Sequence, residues 1–188
     1  MYCQKTTDED CQKLLSYSYE IEVDTFLVVE KKDNAFIISD DVYHLPQPEK
    51  WSSEWYRDDI RYVQDSISST YRIAYTVYEE NVPMGLIWWH TVSKEWKLRM
   101  GIDGILVAQQ FRGRGAWVCL LQTMIDHAKS MECVGVMMEL DTHKYESCRL
   151  CQKMWFTLAG ILIFSRDHAE PYPGSKDVLR WRYDITVA

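Results

Sequence analysis

Two arginines and two glycines alternate in the stretch Arg112-Gly113-Arg114-Gly115, between an apolar segment and a helix-like segment. Glycine lets backbone amides approach a ligand, because no Cβ stands in the way. The first amides of a helix lack internal partners and the helix dipole adds positive potential, so an anion fits there. The two guanidinium groups suit a phosphate. The spacing predicts an anion site, although a plain tight turn before a helix would use the same residues.

The segments on either side of this stretch have the periodicity needed to hold a loop in place. The run Ile105-Leu106-Val107-Ala108 is fully apolar and predicts the end of a strand that begins at Lys97. After the loop, apolar residues recur at helical spacing and predict an amphipathic helix: Trp117, Leu120, Leu121, Met124, Ile125 and Ala128. The glycine spacing matches neither the dinucleotide-binding GxGxxG pattern nor the GxxxxGK[ST] pattern of a P-loop.

The rest of the chain reads as an alternation of strands and helices. Strands are predicted at 21–29, 71–78, 84–92, 97–108, 134–140, 158–165 and 178–187. Helices are predicted at 8–15, 51–62, 117–128 and 145–155, and a loop at 45–49, which carries two prolines. From residue 71 onward the order is strands, helix, strand, helix, strand, strand. This order predicts an α/β (α+β) fold with a mixed sheet.

The composition narrows the class of protein. The 188 residues fit one domain, and a net charge of −7 argues against a nucleic-acid partner and weakly favours a cationic substrate. The N-terminus has no apolar signal-peptide core, and no apolar run approaches the length of a membrane span. Most of the six cysteines fall in apolar-periodic segments, where thiols act as small hydrophobes. These features predict a reduced, cytoplasmic protein that binds neither nucleic acid nor membrane.

The segment from Ile102 to Gly115 resembles the central motif of the GNAT acetyltransferases. Gln110, Gly113 and Gly115 match the Q/R-x-x-G-x-G/A loop of that family position for position. The resemblance extends over about residues 71–183 and is strongest with the streptothricin acetyltransferases. It implies a single GNAT acyltransferase domain with a central mixed, mostly antiparallel sheet flanked by helices, and acetyl-CoA as co-substrate without a metal.

The resemblance also implies which residues bind the cofactor. In the family, the strand before the loop contacts the pantetheine arm through its main chain and the loop binds the pyrophosphate. Carried over to this sequence, the cofactor-binding residues are Ile105, Leu106, Val107, Gln110, Arg112, Gly113, Arg114, Gly115, Ala116 and Lys144. Residues 71–188 would form the cofactor-binding core, and residues 1–70 a variable part with acceptor-side elements.

Two residues are candidates for proton transfer. Asp103 matches the acidic residue that lies beside the acetyl group in streptothricin-type enzymes, and it could take a proton from an incoming ammonium. It could equally serve only to solvate a strand bulge next to Gly104. Cys151 falls where the family has a tyrosine that protonates the leaving thiolate, but a buried structural cysteine is the favoured interpretation. The amide of Val107 could polarise the thioester carbonyl.

Two other positions depart from the family pattern. Trp117 stands where a small residue is common; it either covers the cofactor or begins the apolar stripe of the helix, and the stripe is favoured. His143 and Lys144 replace an asparagine that bonds the cofactor. Either could meet a phosphate, or both could be solvated surface residues.

Two further clusters could carry other functions. Cys148 and Cys151 form a CxxC pair, but no second pair completes a zinc site and the order of a redox fold is absent. An aromatic set could line an acceptor cleft by cation–π attraction, helped by acidic residues. The aromatic members are Trp51, Trp55, Tyr56, Trp88, Trp89 and Trp96, and the acidic ones are Asp58, Asp59, Glu79 and Glu80. Because Trp88 and Trp89 must face opposite sides of a strand, one is predicted to line the cleft.

The sequence thus predicts an N-acetyltransferase that moves an acetyl group from acetyl-CoA to a primary amine of a small cationic acceptor by direct attack. A streptothricin-type antibiotic is one candidate acceptor. Two alternatives stay open: an acyl-CoA-binding sensor or interaction module without catalysis, and a protein N-terminal or lysine acetyltransferase. The sequence leaves both a monomer and a homodimer open.

Overall fold

The computed structural model describes residues 1–33, 35–51, 54–67, 72–94, 97–162 and 178–185. The elements in chain order are β1 (Tyr2–Lys5), α1 (Asp8–Leu15), β2 (Ile21–Lys32), β3 (Ala35–Trp51), α2 (Glu54–Ser66), β4 (Arg72–Glu79), β5 (Val82–Lys94), β6 (Lys97–Val107), α3 (Ala116–Ser130), β7 (Gly135–Asp141), α4 (Tyr145–Lys153), β8 (Thr157–Leu162) and β9 (Val178–Asp184). They form two compact units. The first comprises Met1–Ile21, Ser52–Val136 and Asp184–Ala188, and the second comprises Glu22–Trp51 and Met137–Tyr183.

The first unit is built on an antiparallel sheet with the strand order β1-β4-β5-β6. Helix α1 begins with a capping box, in which the Thr7 hydroxyl accepts from the Asp10 amide and the Asp10 carboxylate accepts from the Thr7 amide. These reciprocal bonds satisfy two amides that the first turn would otherwise leave unpaired. The predicted helix 8–15 is therefore confirmed, with Thr7 as its N-cap.

The sheet of the first unit buries a different aromatic side chain on each face. Trp88 joins the cluster formed with α1 and α2, which includes Leu14 and Ile60. The next residue, Trp89, points to the other face, where it stacks on Tyr75 at 5.4 Å between ring centroids. Alternation along a strand requires this opposition. Helix α3 covers that second face with a fully apolar stripe: Ala116, Leu120, Leu121, Met124, Ile125 and Ala128.

The second unit contains the long hairpin β2–β3, the strands β7, β9 and β8, and helix α4. Strands β8 and β9 are antiparallel. The hairpin is tied to the end of β7 by the amide of Leu27, which donates to the carbonyl of Thr142 at 3.1 Å. The predicted α/β class with a mostly antiparallel sheet is confirmed. The predicted functional division at residue 70 stays a prediction.

Several element predictions were wrong in detail. Residues 45–49 belong to strand β3 and not to a loop, because a strand in a two-stranded sheet has one open edge where a proline needs no amide donor. The short strand β1 was not predicted, since its four residues are largely polar and exposed. Trp117 is only half-buried, and Ala116 takes the first buried position of α3. Residues 71, 163–165 and 186–187 of predicted strands lie outside the described residues.

Within the described part of the chain, no helix combines the length and apolar character that a membrane crossing requires.

Candidate active site

The loop between β6 and α3 depends on two glycines with left-handed backbone. Gly113 has φ of 75° and Gly115 has φ of 86°, a region that side chains with a Cβ avoid. Gly115 is also the N-cap of α3, and no side chain caps the helix there. A Cβ built on either glycine would meet no atom within 4 Å. The glycines are therefore set by backbone conformation, and the loop faces open space.

The open face of this loop has the properties of an anion site. The first amides of α3 have no acceptor within the helix, and the helix dipole adds positive potential at the same end. Open space over Gly113 and Gly115 leaves room for a phosphate oxygen to approach those amides. The residues present thus fit the pyrophosphate of coenzyme A.

Arg112 turns away from this open face and ties the loop to the chain that follows α1. Its Nε donates to the Val107 carbonyl at 3.3 Å, its Nη1 to the Glu20 carbonyl at 2.8 Å and its Nη2 to the Tyr19 carbonyl at 3.4 Å. Burial lowers the pKa of the guanidinium below its usual value. The geometry gives Arg112 a role in holding the loop, and its predicted contact with phosphate stays a prediction.

Arg114 has different partners. Its side chain is exposed, pairs with the carboxylate of Glu79 at 3.4 Å and lies 5.6 Å from the ring centroid of Phe111. An exposed ion pair of this kind contributes little stability, so the guanidinium can exchange Glu79 for a stronger anion. Of the two arginines, Arg114 is the one placed to meet a phosphate.

The remaining predicted cofactor residues have diverse environments. Leu106, Val107 and Ala116 are buried, so only their main chain could serve a ligand, as the resemblance implies. Ile105 is half-buried and Gln110 is exposed. Lys144 belongs to the second unit, where its Nζ lies 3.4 Å from an oxygen of Asp141. The cofactor roles of these residues stay predictions.

A β-bulge in β6 sets the position of Asp103. Trp88 pairs with Gly104 and Trp89 with Ile102, so Asp103 is the extra residue between them. A bulge leaves its extra residue outside the ladder and redirects its side chain. Gly104 is required beside it, because a Cβ there would come within 2.0 Å of the Trp88 ring. The bulge that the sequence suggested next to Gly104 is present.

The side chain that Asp103 meets was missed in the sequence. The carboxylate Oδ1 lies 2.7 Å from Nδ1 of His90, which projects from β5. The imidazole lies over Gly101, where a Cβ would approach its Cε1 to 3.0 Å. The only available signal was strand alternation, which places His90 on the same face as Trp88. The bulge that brings Asp103 to that face could not be read from the sequence.

Cys151 lies in the core of the second unit. It is fully buried, and its thiol contacts the sulfur of Met138 at 3.4 Å. Burial raises the pKa of this thiol, which makes it a weaker acid. Its neighbour Cys148 is also fully buried, and the described residues contain no cluster suited to a metal ion. These surroundings match the structural interpretation of Cys151, while its proposed role as an acid stays a prediction.

His143 is not the solvated surface residue that one interpretation expected. Its side chain is only 8% exposed, and its ring lies 6.4 Å from that of Phe26. Burial lowers the pKa of His143 to about 4, more than the carboxylate of Asp141 can offset. The imidazole is therefore neutral near pH 7 and brings no positive charge to a phosphate.

The aromatic set proposed for an acceptor cleft is only partly visible. Trp89 is fully buried, whereas Trp88 is buried but lines a pocket with Val63 and Arg72, so the prediction that one of them lines the acceptor cleft stays a prediction. Tyr56 packs near Tyr19 at 6.2 Å between centroids. Asp58 pairs with Arg61, as Glu79 does with Arg114. The side chains of Trp51, Trp55 and Trp96 lie outside the described residues.

Comparisons with known proteins agree with this site. The sequence model of the acetyltransferase (GNAT) family matches residues 39–156. A streptothricin acetyltransferase from Escherichia coli is 26% identical over 126 residues, which cover 67% of this chain and 69% of that protein. The crystal structure of a nourseothricin acetyltransferase superimposes with a TM-score of 0.72 at 16% identity, over 97% of this chain and 96% of the other.

A second solved structure has a similar fold. It is a putative streptothricin acetyltransferase from Bacillus anthracis str. Ames in complex with acetyl coenzyme A, with a TM-score of 0.74 at 15% identity over 98% of both chains. At such identities these two structures establish the fold, while the family match covers more than half of the sequence. The chain belongs to the acetyltransferase (GNAT) family, whose members are acetyl-CoA-dependent N-acetyltransferases.

Proposed function

We propose that this protein transfers the acetyl group of acetyl-CoA to a primary amine of a small cationic acceptor, and that a streptothricin-type antibiotic is such an acceptor. The observation that carries the proposal is the loop at Gly113 and Gly115, whose left-handed glycines leave the amides at the start of α3 open to a diphosphate. Acetyl-CoA, when bound, supplies an acetyl group activated as a thioester.

The loop and the strand before it would hold the two ends of the cofactor. The amides of the loop bind the pyrophosphate, with Arg114 adding a charge-assisted bond. Arg112 keeps the loop in this shape through its three carbonyl contacts. The main chain of β6 then guides the pantetheine arm away from the loop, toward the bulge at Asp103.

The bulge in β6 is a better position for the thioester than the amide of Val107. Asp103 and Val107 are four residues apart on β6, which is about 13 Å at the usual rise of a strand. The base predicted at Asp103 and the amide predicted at Val107 therefore cannot both touch one thioester. A bulge leaves backbone groups of its extra residue outside the ladder, so an amide at Asp103 could polarise the carbonyl at this point of β6.

The acceptor is proposed from charge and relationship together. A net charge of −7 favours encounter with a cation. The Escherichia coli relative, which shares 26% identity over two thirds of the chain, is a streptothricin acetyltransferase. Neutral amine attacks a thioester well, so positioning and carbonyl polarisation supply most of the rate, and no covalent enzyme intermediate is needed.

One observation favours a second candidate, a GNAT protein that binds acyl-CoA without transferring the acyl group. Cys151 aligns with the tyrosine that protonates the leaving thiolate in the family. It is fully buried, and burial raises the pKa of its thiol. Trp117, in the first turn of α3, is half-buried beside the loop. A protein without a general acid could still bind the cofactor and report its level.

Thiol release separates these candidates. The purified protein is incubated with acetyl-CoA and one amine at a time: nourseothricin, an aminoglycoside, spermidine, lysine and a peptide with a free N-terminus. Turnover with nourseothricin and little with the peptide is expected. Calorimetric binding of coenzyme A without thiol release for any amine would favour the sensor, and release only with the peptide would favour a protein acetyltransferase.

The matched control for this experiment is a glycine that does not face the loop. Gly160 in β8 has ordinary backbone and a distant nearest neighbour, the Arg180 Cβ at 4.0 Å, so Gly160→Ala should retain turnover. Turnover should be lost in Gly115→Val. If neither variant affects turnover, the loop is not the cofactor site and the proposal fails.

A further inference from the structure

We propose that His90 is the base that takes the proton from the acceptor amine, and that Asp103 is the positioning residue that holds its imidazole. This inference rests on the proposed function and deepens it. It reassigns the role that the sequence gave to Asp103, and it adds a residue that the sequence did not single out.

The hydrogen bond between the two side chains fixes the tautomer of the imidazole. Nδ1 of His90 lies 2.7 Å from Oδ1 of Asp103. A carboxylate only accepts hydrogen bonds, so Nδ1 must carry the hydrogen and donate it. In the neutral ring the lone pair is then on Nε2, which has no partner among the described residues. The pair presents a proton acceptor on its outer side.

Both side chains of the pair can be reached from solvent, to different extents. The His90 side chain is 43% exposed and that of Asp103 is 27% exposed. Both side chains are accessible, and the imidazole is the more exposed of the two. The outer nitrogen of His90 is therefore open to an approaching ammonium, and Asp103 acts by holding the ring.

The backbone around the pair is shaped to hold it. Gly101 leaves space for the imidazole, since a Cβ at that position would lie only 3.0 Å from the ring. The bulge turns Asp103 toward the same face, and Gly104 makes room for Trp88 beside it. The close approach at Gly101 concerns the imidazole itself, whereas the one at Gly104 serves the packing of Trp88.

Charged residues face His90 from both neighbouring strands. Arg72 lies opposite His90 in the register of β4 and β5. Its guanidinium lies 4.2 Å from the ring centroid of Tyr62. Asp103 faces the imidazole from β6. An imidazolium formed during turnover would be stabilised by the Asp103 carboxylate, in the way a base is oriented and supported by a third group.

The proton balance of the reaction closes with these groups. Nε2 of His90 takes one proton from the ammonium and leaves a neutral amine. The amine nitrogen forms a bond to the acetyl carbon, the bond between that carbon and sulfur breaks, and the electron pair leaves with sulfur. The second proton lost by nitrogen goes to the thiolate, and the imidazolium releases its proton to solvent. One proton is released for each acetyl group transferred.

Kinetics with an external base test the role of His90. His90→Ala should lower kcat by about 100-fold or more, the range of general-base catalysis, with the KM for acetyl-CoA unchanged. Added imidazole should restore part of kcat in His90→Ala but not in Asp103→Ala, which still contains a ring. The fall in kcat should be smaller in Asp103→Asn than in His90→Ala. The kcat of the double variant His90→Ala/Asp103→Asn should be no lower than that of His90→Ala, because the two residues act as a unit.

The matched control is His127→Gln, on α3 at the opposite face of β5, where its ring lies 5.4 Å from that of Trp89. It should keep kcat within about 2-fold, as expected for a residue outside the chemistry. Full activity in His90→Ala, or loss in Asp103→Ala alone, would overturn the assignment and leave the acetyltransferase function standing. Absence of turnover in the wild-type protein with every amine would overturn both.

A spectroscopic measurement checks the pair independently of turnover. The chain has five histidines, so the nitrogen-15 signals of His90 are assigned as those that disappear in His90→Gln. Near pH 8 their shifts should show a hydrogen on Nδ1 and none on Nε2. Asp103→Ala should shift this tautomer toward Nε2–H. A wild-type ring that already carries its hydrogen on Nε2 would rule out the proposed pair.

Discussion

Gly113 and Gly115 face open space at the start of α3, whereas Cys148 and Cys151 on α4 are completely buried. Both regions drew attention in the sequence because their residue types can serve chemistry. In the loop, the fold itself requires neither the positive φ values nor the unpaired amides, because an ordinary turn could also connect β6 to α3. On α4, the thiols fill apolar volume, and their raised pKa values follow from that burial.

The contrast shows that access separates a ligand site from reactive residues used for packing. A different contrast, in the partners of the side chains, separates two arginines of the loop. Arg112 spends its donors on three backbone carbonyls, while Arg114 is exposed and holds one weak ion pair. Their identical chemistry leads to different roles because the donors of Arg112 are already bound to backbone carbonyls, whereas Arg114 is held only by one exposed ion pair.

The largest effect is expected at the glycine loop itself. Gly115→Val places a β-branched residue at φ of 86° and puts a side chain over the open amides. Affinity for coenzyme A should fall by about 100-fold, or ~2.7 kcal/mol. Isothermal titration calorimetry measures this directly, with Gly160→Ala as the control. Unchanged affinity would remove the distinction between the loop and an ordinary turn.

The second effect separates the two arginines. Arg112→Met should lower the free energy of unfolding by about 2 kcal/mol, because several hydrogen bonds from a charged group are lost. Arg114→Met should change it by less than about 0.5 kcal/mol and should weaken coenzyme A binding mainly at low salt. Urea unfolding and calorimetry at two salt concentrations test both. If Arg112→Met kept full stability but lost salt-dependent binding, Arg112 would be the phosphate ligand that the sequence predicted.

The third effect concerns the buried histidine before α4. Because the folded pKa of His143 is about 4, below the ordinary 6.5, the unfolded chain binds the proton first as the pH falls. The stability is complete above pH 6.5 and is lost progressively between pH 6.5 and 4. Between pH 7.5 and 5, His143 should account for a loss on the order of 2 kcal/mol.

Urea unfolding of wild type and His143→Gln at those two pH values measures this loss. The variant should show a smaller pH dependence than wild type. His44→Gln, an exposed histidine that meets Thr25, should keep the wild-type slope. Equal slopes in wild type and His143→Gln would mean that the ring is solvated, as one interpretation of the sequence had it.

The smallest effect is expected at the cysteine on α4. Cys151→Ala should cost about 1 kcal/mol of stability by leaving a small cavity, with kcat within 2-fold of wild type. Cys133→Ala, at another fully buried cysteine, is the matched control and should behave alike. A tenfold or larger drop in kcat for Cys151→Ala, with stability equal to the control, would make Cys151 the general acid after all.

Much of the fold followed from local patterns, and the failures have physical causes. The helix at α3 and the strands from β4 to β9 were predictable, because alternation and helical spacing act within a few residues. Residues 45–49 of β3 were predicted as a loop, since prolines are normally signs of a loop but are tolerated at an open edge. The contacts of Arg112 could not be predicted, because they join it to the carbonyls of Tyr19 and Glu20, which are distant in sequence.

The sequence alone determined the glycine loop at Gly113 and Gly115 and its place before a helix. Left-handed backbone, free amides and a helix dipole all arise within about seven residues of chain, so their types and spacing suffice. Only the tertiary structure paired His90 with Asp103, thirteen residues apart. That contact depends on strand register and on a bulge, which are decided by packing across the whole sheet and not by local preference.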